Sequence, residues 1–209
     1  MNENDRDDVE PSEWVRITQE NPDHSGWYVE RFRSMAAAGD DLAGEARFVD
    51  ALVPRGARIL DAGCGTGRVG AHLAASGHDV VGVDVDPVLI AAAQEDHPGP
   101  RWLVGDLALL DLPALGIDEG FDAIVCAGNV LTFLAPSTRC RVLERLRAHL
   151  LPGGRVAAGF GAGRGYEFTT FLEDVERAGM AVDLQLESWD LRPFTEASGF
   201  LVAVLSAEG

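Results

Sequence analysis

"RILDAGCGTGRVG", Arg58 to Gly70, decides how this chain is read. An apolar run of strand type stops on an acid, Asp61, and breaks into alternating glycines. A glycine-rich turn after a strand lets main-chain N–H groups come close to a ligand, with the N-terminus of a helix behind them. From Ala57 onward, short Val- and Ile-rich runs alternate with helical ones, which is the pattern of βαβ units and a parallel sheet. Strands are expected at Arg58–Asp61, Asp79–Asp84, Arg101–Val104, Phe121–Cys126 and Arg155–Phe160. Helices are expected at Arg68–Ser76, Pro87–Glu95 and Ser137–Leu150, the last stopped by Pro152-Gly153-Gly154. After a further helix, "FLEDVERAGM", the stretches "AVDLQLESWDL" and "GFLVAVLS" read as two strands. "RPFTEAS" between them is too short for a crossover helix, so the sheet should end in an antiparallel hairpin. The expected fold class is α/β, a doubly wound and mostly parallel sheet.

Composition bounds the function. With 209 residues and 46% hydrophobic content the chain can bury one sizeable core. A formal charge of −17, from 34 acidic against 17 basic residues, argues against nucleic acid, whose binding needs a basic face. A small molecule is the better partner. Cys64, Cys126 and Cys140 make no C-x-x-C pair and the five histidines are scattered, so neither a metal site nor a disulfide framework is expected. These thiols suit a reducing cytoplasm. No apolar signal core and no run of membrane-span length is visible, so a soluble protein with no membrane partner is expected. Oligomeric state is not legible.

Gly65-Thr-Gly67-Arg-Val-Gly70 satisfies G-x-G-x-x-G, and Asp84 ends the next strand about twenty residues on, which makes a nicotinamide or flavin dinucleotide a candidate. Asp61 opposes it. A carboxylate beside the loop would repel a pyrophosphate, whereas a ligand with a cationic centre and no phosphate would welcome it. Each acid also has a structural reading: Asp61 as a turn cap, Asp106 as an N-cap, Asp84 in an Asx turn with Asp86 the better cap of the following helix. Their joint placement at successive strand ends favours a ligand, because open parallel sheets bind at their carboxyl edge.

"ILDAGCGTG" followed by "VVGVDVDPVLIAAA" resembles the first two motifs of class I S-adenosylmethionine-dependent methyltransferases. "WLVGDL", "FDAIVCAGNVLTFL" and "HLLPGGRVAAGF" are similar to that family's third-strand, fourth-strand and fifth-strand segments, in the right order. The resemblance spans roughly Ala57 to Ser206 and implies a seven-stranded sheet, S-adenosyl-L-methionine as cofactor and S-adenosyl-L-homocysteine as product. It implies that Gly63, Cys64 and Gly65 present backbone to the methionine end, with Asp61 near its ammonium. It further implies that Asp84 accepts from the ribose hydroxyls, that Val85 and Leu107 flank the adenine and Asp106 meets its amino group, and that Ala127 and Gly128 lie under the sulfonium region. Cys64 is a spacer on this reading, not a nucleophile. Residues 1–13 then read as a disordered acidic tail, 14–56 as a helical N-terminal cover and 57–209 as the cofactor-binding domain.

Methyl transfer from a sulfonium demands alignment and dryness more than a protein acid or base. No catalytic residue is therefore named. Candidates on the acceptor side are Tyr28 in the cover, Asn129 after the fourth strand, and Arg164, Tyr166 and Glu167 in "GFGAGRGYEF" after the fifth. Ordinary loop polarity is the competing reading for each. Within Trp14–Gly39, Tyr28, Phe32 and Met35 recur on one helical face, and a second apolar stripe runs Leu42, Phe48, Val49, Leu52. The first stretch suits either a docked helix or a lid that closes over the cofactor. The expected activity is methyl transfer to a small-molecule acceptor. The alternatives are an NAD(P)-dependent oxidoreductase and a non-catalytic cofactor-binding domain.

Overall fold

The computed structural model describes residues 9–207. Seven strands form one sheet: β1 (Arg58–Ala62), β2 (Asp79–Asp84), β3 (Arg101–Val104), β4 (Phe121–Cys126), β5 (Leu150–Gly161), β6 (Met180–Leu186) and β7 (Phe200–Ala207). Their spatial order is β3-β2-β1-β4-β5-β7-β6, with the first five parallel and β7 antiparallel to both of its neighbours. The predicted terminal hairpin is present. Its last strand inserts beside β5, so the hairpin enters the sheet by its second arm.

Strand alternation sends side chains to two cores. Leu60, Val81, Ile124, Val156 and Phe160 face one side and pack with residues of α6 (Val130–Phe133), α7 (Arg139–Ala148) and α8 (Phe168–Arg177). Ile59, Val80, Ala123, Val125 and Ala157 face the other and pack with α3 (Gly44–Leu52) and α4 (Arg68–Ala75). Burial on both faces is why these strands read as continuous apolar runs instead of alternating ones. α5 (Pro87–Asp96) covers the β2–β3 end, where Ile90 and Ala93 meet Trp102 and Cys64.

Two expectations are corrected. β5 does not begin after Pro152-Gly153-Gly154; α7 ends at Ala148 and the strand starts at Leu150, opposite Phe121. The glycines are absorbed as an irregularity in its pairing with β4, where a Cβ on Gly154 would lie 2.7 Å from the Phe121 carbonyl oxygen. The acidic tail is the second. Residues 1–8 of it lie outside the described residues, but Val9 packs against the core, Glu10 accepts from the Ser137 hydroxyl at 2.7 Å, and Ser12 caps a helix.

That helix, α1 (Glu13–Glu20), opens the region expected to be a helical cover but was not among its two expected stripes, although Ser12 followed by an acid is a start signal. α2 (His24–Ala37) follows, and both helices are seated on α5: Val29 is buried with Leu89 and Ala92, and Trp14 and Tyr28 pack against the same cluster. The inward face of α2 is centred on Ser25 and Val29, one position over from the expected Tyr28–Phe32–Met35 stripe.

Candidate functional site

The cavity lies at the carboxyl edge of β1, β2, β3 and β4, where an open parallel sheet binds ligands. Its lining mixes apolar side chains with a few acids and bare glycine backbone, which suits an organic ligand rather than an ion. Asp61, Gly63, Cys64, Gly65, Asp84, Val85, Asp106, Leu107, Ala127 and Gly128 all line it. Tyr28, from α2, lines it too, together with Trp14, Arg68 and Phe133.

The glycine loop is held by the sheet. Gly63 and Cys64 both donate to the Val83 carbonyl, and Gly65 N–H donates to Asp84 Oδ2 at 2.8 Å. Gly65 has a φ of +54°, a value glycine tolerates and branched residues resist. A side chain there would project toward the Tyr28 ring, whose Cε1 would lie 3.7 Å from its Cβ. The loop is thus bare backbone beneath a phenol. Gly67 N-caps α4, and Gly70 N–H, in its first turn, donates to Asp61 Oδ2 at 2.8 Å.

Two acids in this cavity are held out of water. Burial pushes the Asp61 carboxyl up to about 7, against the help it gets from the Gly70 N–H. Burial pushes Asp84 up to about 6, although it accepts from the N–H groups of Gly65 and Asp86. Perturbed carboxyls of this kind concentrate at functional sites. A carboxylate offers about four lone-pair positions, and Asp84 uses two on backbone. Asp106 caps the short turn Leu107–Leu109 through Oδ1, which accepts from Ala108 N–H at 2.8 Å. The capping readings hold and leave the ligand readings room, because each acid spends only part of its acceptor capacity on backbone. Burial also pushes the Cys64 thiol up, so it is an inert spacer. The Tyr28 phenol is raised by burial and carries its proton at neutral pH.

The acceptor-side candidates divide. Tyr28 is in the cavity; Asn129, Arg164 and Tyr166 are not. Asn129 sits in the left-handed region at φ 66°, and its Oδ1 accepts from Gly161 N–H at 2.8 Å, which ties the end of β4 to the end of β5. Arg164 and Glu167 are exposed. Tyr166 is a core residue: it is stacked on Phe160, covered by Arg139, and donates to the buried Asp174 at 2.6 Å. Gly163 and Gly165, both at positive φ, lie in the turn between the end of β5 and Tyr166, whose ring belongs to the core cluster.

Arg68 was passed over as one letter of the glycine motif. It lines the cavity, and its guanidinium is matched by both carboxylate oxygens of Glu45 and by the Leu42 carbonyl. Glu45 lies 23 residues away in the N-terminal region, so no local signal could reveal the pair. Trp14 was read only as the start of the candidate lid, and Phe133 was not singled out. They meet edge-on at 5.6 Å on the wall of the cavity.

The chain matches the profile of a methyltransferase domain over residues 59–154. A solved TehB-like S-adenosylmethionine-dependent methyltransferase from Corynebacterium glutamicum is 51% identical, superposes with a TM-score of 0.84, and is covered over 100% of its length by 90% of this chain. An uncharacterised methyltransferase of Mycobacterium tuberculosis is 39% identical over 112 residues, 52% of this chain and 53% of that protein. A dTDP-3-amino-3,6-dideoxy-alpha-D-glucopyranose N,N-dimethyltransferase of Streptomyces fradiae is 32% identical over 140 residues, 64% of this chain and 53% of that one. The matches to these two curated relatives span about half of each one's length. With the glycine loop, the acids at successive strand ends and the seven-stranded sheet already in place, the chain belongs to the class I S-adenosylmethionine-dependent methyltransferases.

Proposed function

We propose that this chain methylates a small-molecule acceptor, holding S-adenosylmethionine in the cavity at the carboxyl edge of β1 to β4. The observation that carries the reading is that three carboxylates, Asp61, Asp84 and Asp106, converge with the glycine loop on one cavity whose only lining cation among the described residues, Arg68, is already paired with Glu45. That set of acceptors favours a positively charged ligand rich in hydroxyl and amino donors. It disfavours a pyrophosphate, and no observation favours a dinucleotide.

The residues fit the cofactor in the following roles. Asp84 accepts two ribose hydroxyls on the lone pairs left free by Gly65 and Asp86. Val85 and Leu107 flank the adenine, and Asp106 accepts from its amino group. Asp61 balances the charge of the amino-acid end, and Gly63, Cys64 and Gly65 give that end close access to backbone. Ala127 and Gly128 leave room beside the reactive centre, since a Cβ on Gly128 would meet nothing within 4 Å. When bound, the cofactor supplies an activated methyl group. Trp14, Tyr28 and Phe133 keep water out, and the Tyr28 phenol orients an acceptor as a hydrogen-bond donor.

The relative from Streptomyces fradiae bears the name of an enzyme acting on a nucleotide-linked amino sugar, which supports an acceptor of metabolite size here. Thermal shift with S-adenosylhomocysteine, S-adenosylmethionine, NADH and NADPH tests the cofactor: only the first two should stabilise, by about 2.7 kcal/mol at a hundred times their dissociation constant. Stabilisation by a dinucleotide alone overturns the reading. Turnover of any member of a small-molecule acceptor panel supports the acceptor class, and turnover of a protein or RNA acceptor alone overturns it.

A further inference from the structure

Asp86, the second acid of Val83-Asp84-Val85-Asp86, is 5% exposed and joins three elements. Its Oδ1 accepts from Val88 N–H at 2.8 Å and so caps α5. Capping requires nothing more, and serine or asparagine supplies it equally well. The other oxygen is engaged by the N-terminal helices: Oδ2 accepts from Trp14 Nε1–H at 2.8 Å and from the Ser25 hydroxyl, 72 and 61 residues away. At the same time the Asp86 main-chain N–H donates to Asp84 Oδ1 at 3.0 Å. Trp14 in turn walls the cavity and meets Tyr28 edge-on at 5.2 Å. The remaining polar links between α2 and α5, from Arg33 to Glu95 and Asp96, involve largely exposed side chains and are weak anchors.

We propose that Asp86 is a positioning residue that couples the seating of the N-terminal cover to the cofactor acid Asp84, clamping Trp14 and Ser25 with its side chain while its backbone N–H fixes one Asp84 oxygen. The inference rests on Asp84 being the ribose acceptor. Binding at Asp84 then steadies the Asp84–Asp86 turn and with it the cover. By reciprocity, loosening the cover weakens binding at Asp84.

The test uses the full chain as wild type, Ser25→Ala, Trp14→Phe, Asp86→Asn, Asp84→Ala, and the doubles of Asp86→Asn with Ser25→Ala and with Trp14→Phe. Ser25→Ala and Trp14→Phe each delete one donor to Asp86 and keep most of the packing, so they remain informative even where Asp86→Asn fails to fold. Two quantities are read: the dissociation constant for S-adenosylhomocysteine by calorimetry, and the factor by which saturating ligand slows tryptic cutting at Arg16, Arg31 and Arg33. Ser25→Ala and Trp14→Phe should each weaken binding by roughly three- to tenfold and reduce the protection factor, and neither should have a further effect in the Asp86→Asn background. Lower thermal stability with a wild-type dissociation constant and wild-type protection would make Asp86 merely structural and overturn the coupling. Asp84→Ala separates the two readings. Undiminished binding there overturns the ribose assignment and this proposal with it, whereas diminished binding there, with wild-type behaviour of Ser25→Ala and Trp14→Phe, overturns the coupling alone.

Discussion

Asp84→Ala is the sharpest perturbation of the site, because its effects on stability and on binding separate. In the proposed arrangement two ribose hydroxyls donate to the ionised Asp84 carboxylate, and hydrogen bonds to a charged group contribute about 1.5–3 kcal/mol each. Removing the acceptor should therefore weaken S-adenosylhomocysteine by about a hundredfold or more, at roughly 1.4 kcal/mol per factor of ten. The fold should survive. The N–H groups of Gly65 and Asp86 lose their acceptor, at about 1–3 kcal/mol each when buried. Against this, burial holds the carboxyl up to about 6 from an ordinary 3.8, so keeping it ionised in the folded state costs about 3 kcal/mol at neutral pH, a cost that alanine relieves. The net lies between a gain of about 1 and a loss of about 3 kcal/mol, too small to unfold a domain of ordinary stability.

A pH signature accompanies this. Between about pH 4 and 6 the folded wild type carries a proton on Asp84 that the unfolded chain has already released. This group's stabilising contribution is thus fully present below about pH 4 and is lost as pH rises through about 6. Asp84→Ala should flatten that part of the stability curve. Ligand binding uses the ionised form, so wild-type affinity should fall by up to about tenfold per pH unit below about 6, and the variant's should not. Calorimetry at pH 8 and pH 5 with thermal melts at the same pH values measures all of it. A folded Asp84→Ala protein that binds within twofold of wild type would refute the reasoning.

Gly65→Val should abolish cofactor binding, because φ +54° strains a branched residue and its side chain would fill the gap beneath Tyr28; a folded variant with normal calorimetric affinity would reduce the loop to a tight turn. Binding of S-adenosylmethionine near pH 6.5 should release protons, since a cationic ligand draws down the Asp61 carboxyl that burial holds at about 7; calorimetry in buffers of different ionisation enthalpy reads the number, and Asp61→Asn should reduce it. Tyr166→Phe should cost about 1–3 kcal/mol of stability by stripping Asp174 of a buried donor, while kcat and KM stay as in wild type; a kinetic defect without loss of stability would return Tyr166 to the acceptor side.

What could be read in advance divides by the range of the interaction that fixes each residue. The strands were legible because two-sided burial writes itself as runs such as Ile59-Leu60 and Val80-Val81, and β2, β3 and β4 begin and end where those runs do. The convergence of the acids on one cavity was legible for a related reason: in a parallel sheet every strand delivers its last residues to the same edge, so Asp61, Asp84 and the loop before Leu107 meet without any long-range contact being known. The same rule misled at Tyr166, six residues past the β5 residue Phe160. Leaving a strand at the functional edge says where the chain emerges, but the ring is claimed by Phe160, Phe171 and Asp174, whose combined burial outweighs the exposure of a loop position. Arg68 and Asp86 failed to stand out for the opposite reason. Each does satisfy its local rule, one as a helix residue behind the glycines and the other as an N-cap, and nothing nearby in sequence signals the second set of partners, Glu45 for one and Trp14 with Ser25 for the other. These second partners all come from the N-terminal region that no cofactor motif covers, and that is where the sequence reading had least to say. A chain of this family can therefore keep its cofactor-binding half recognisable from local pattern alone, while the contacts that seat the N-terminal helices beside the cavity reside in pairs that only the fold brings together.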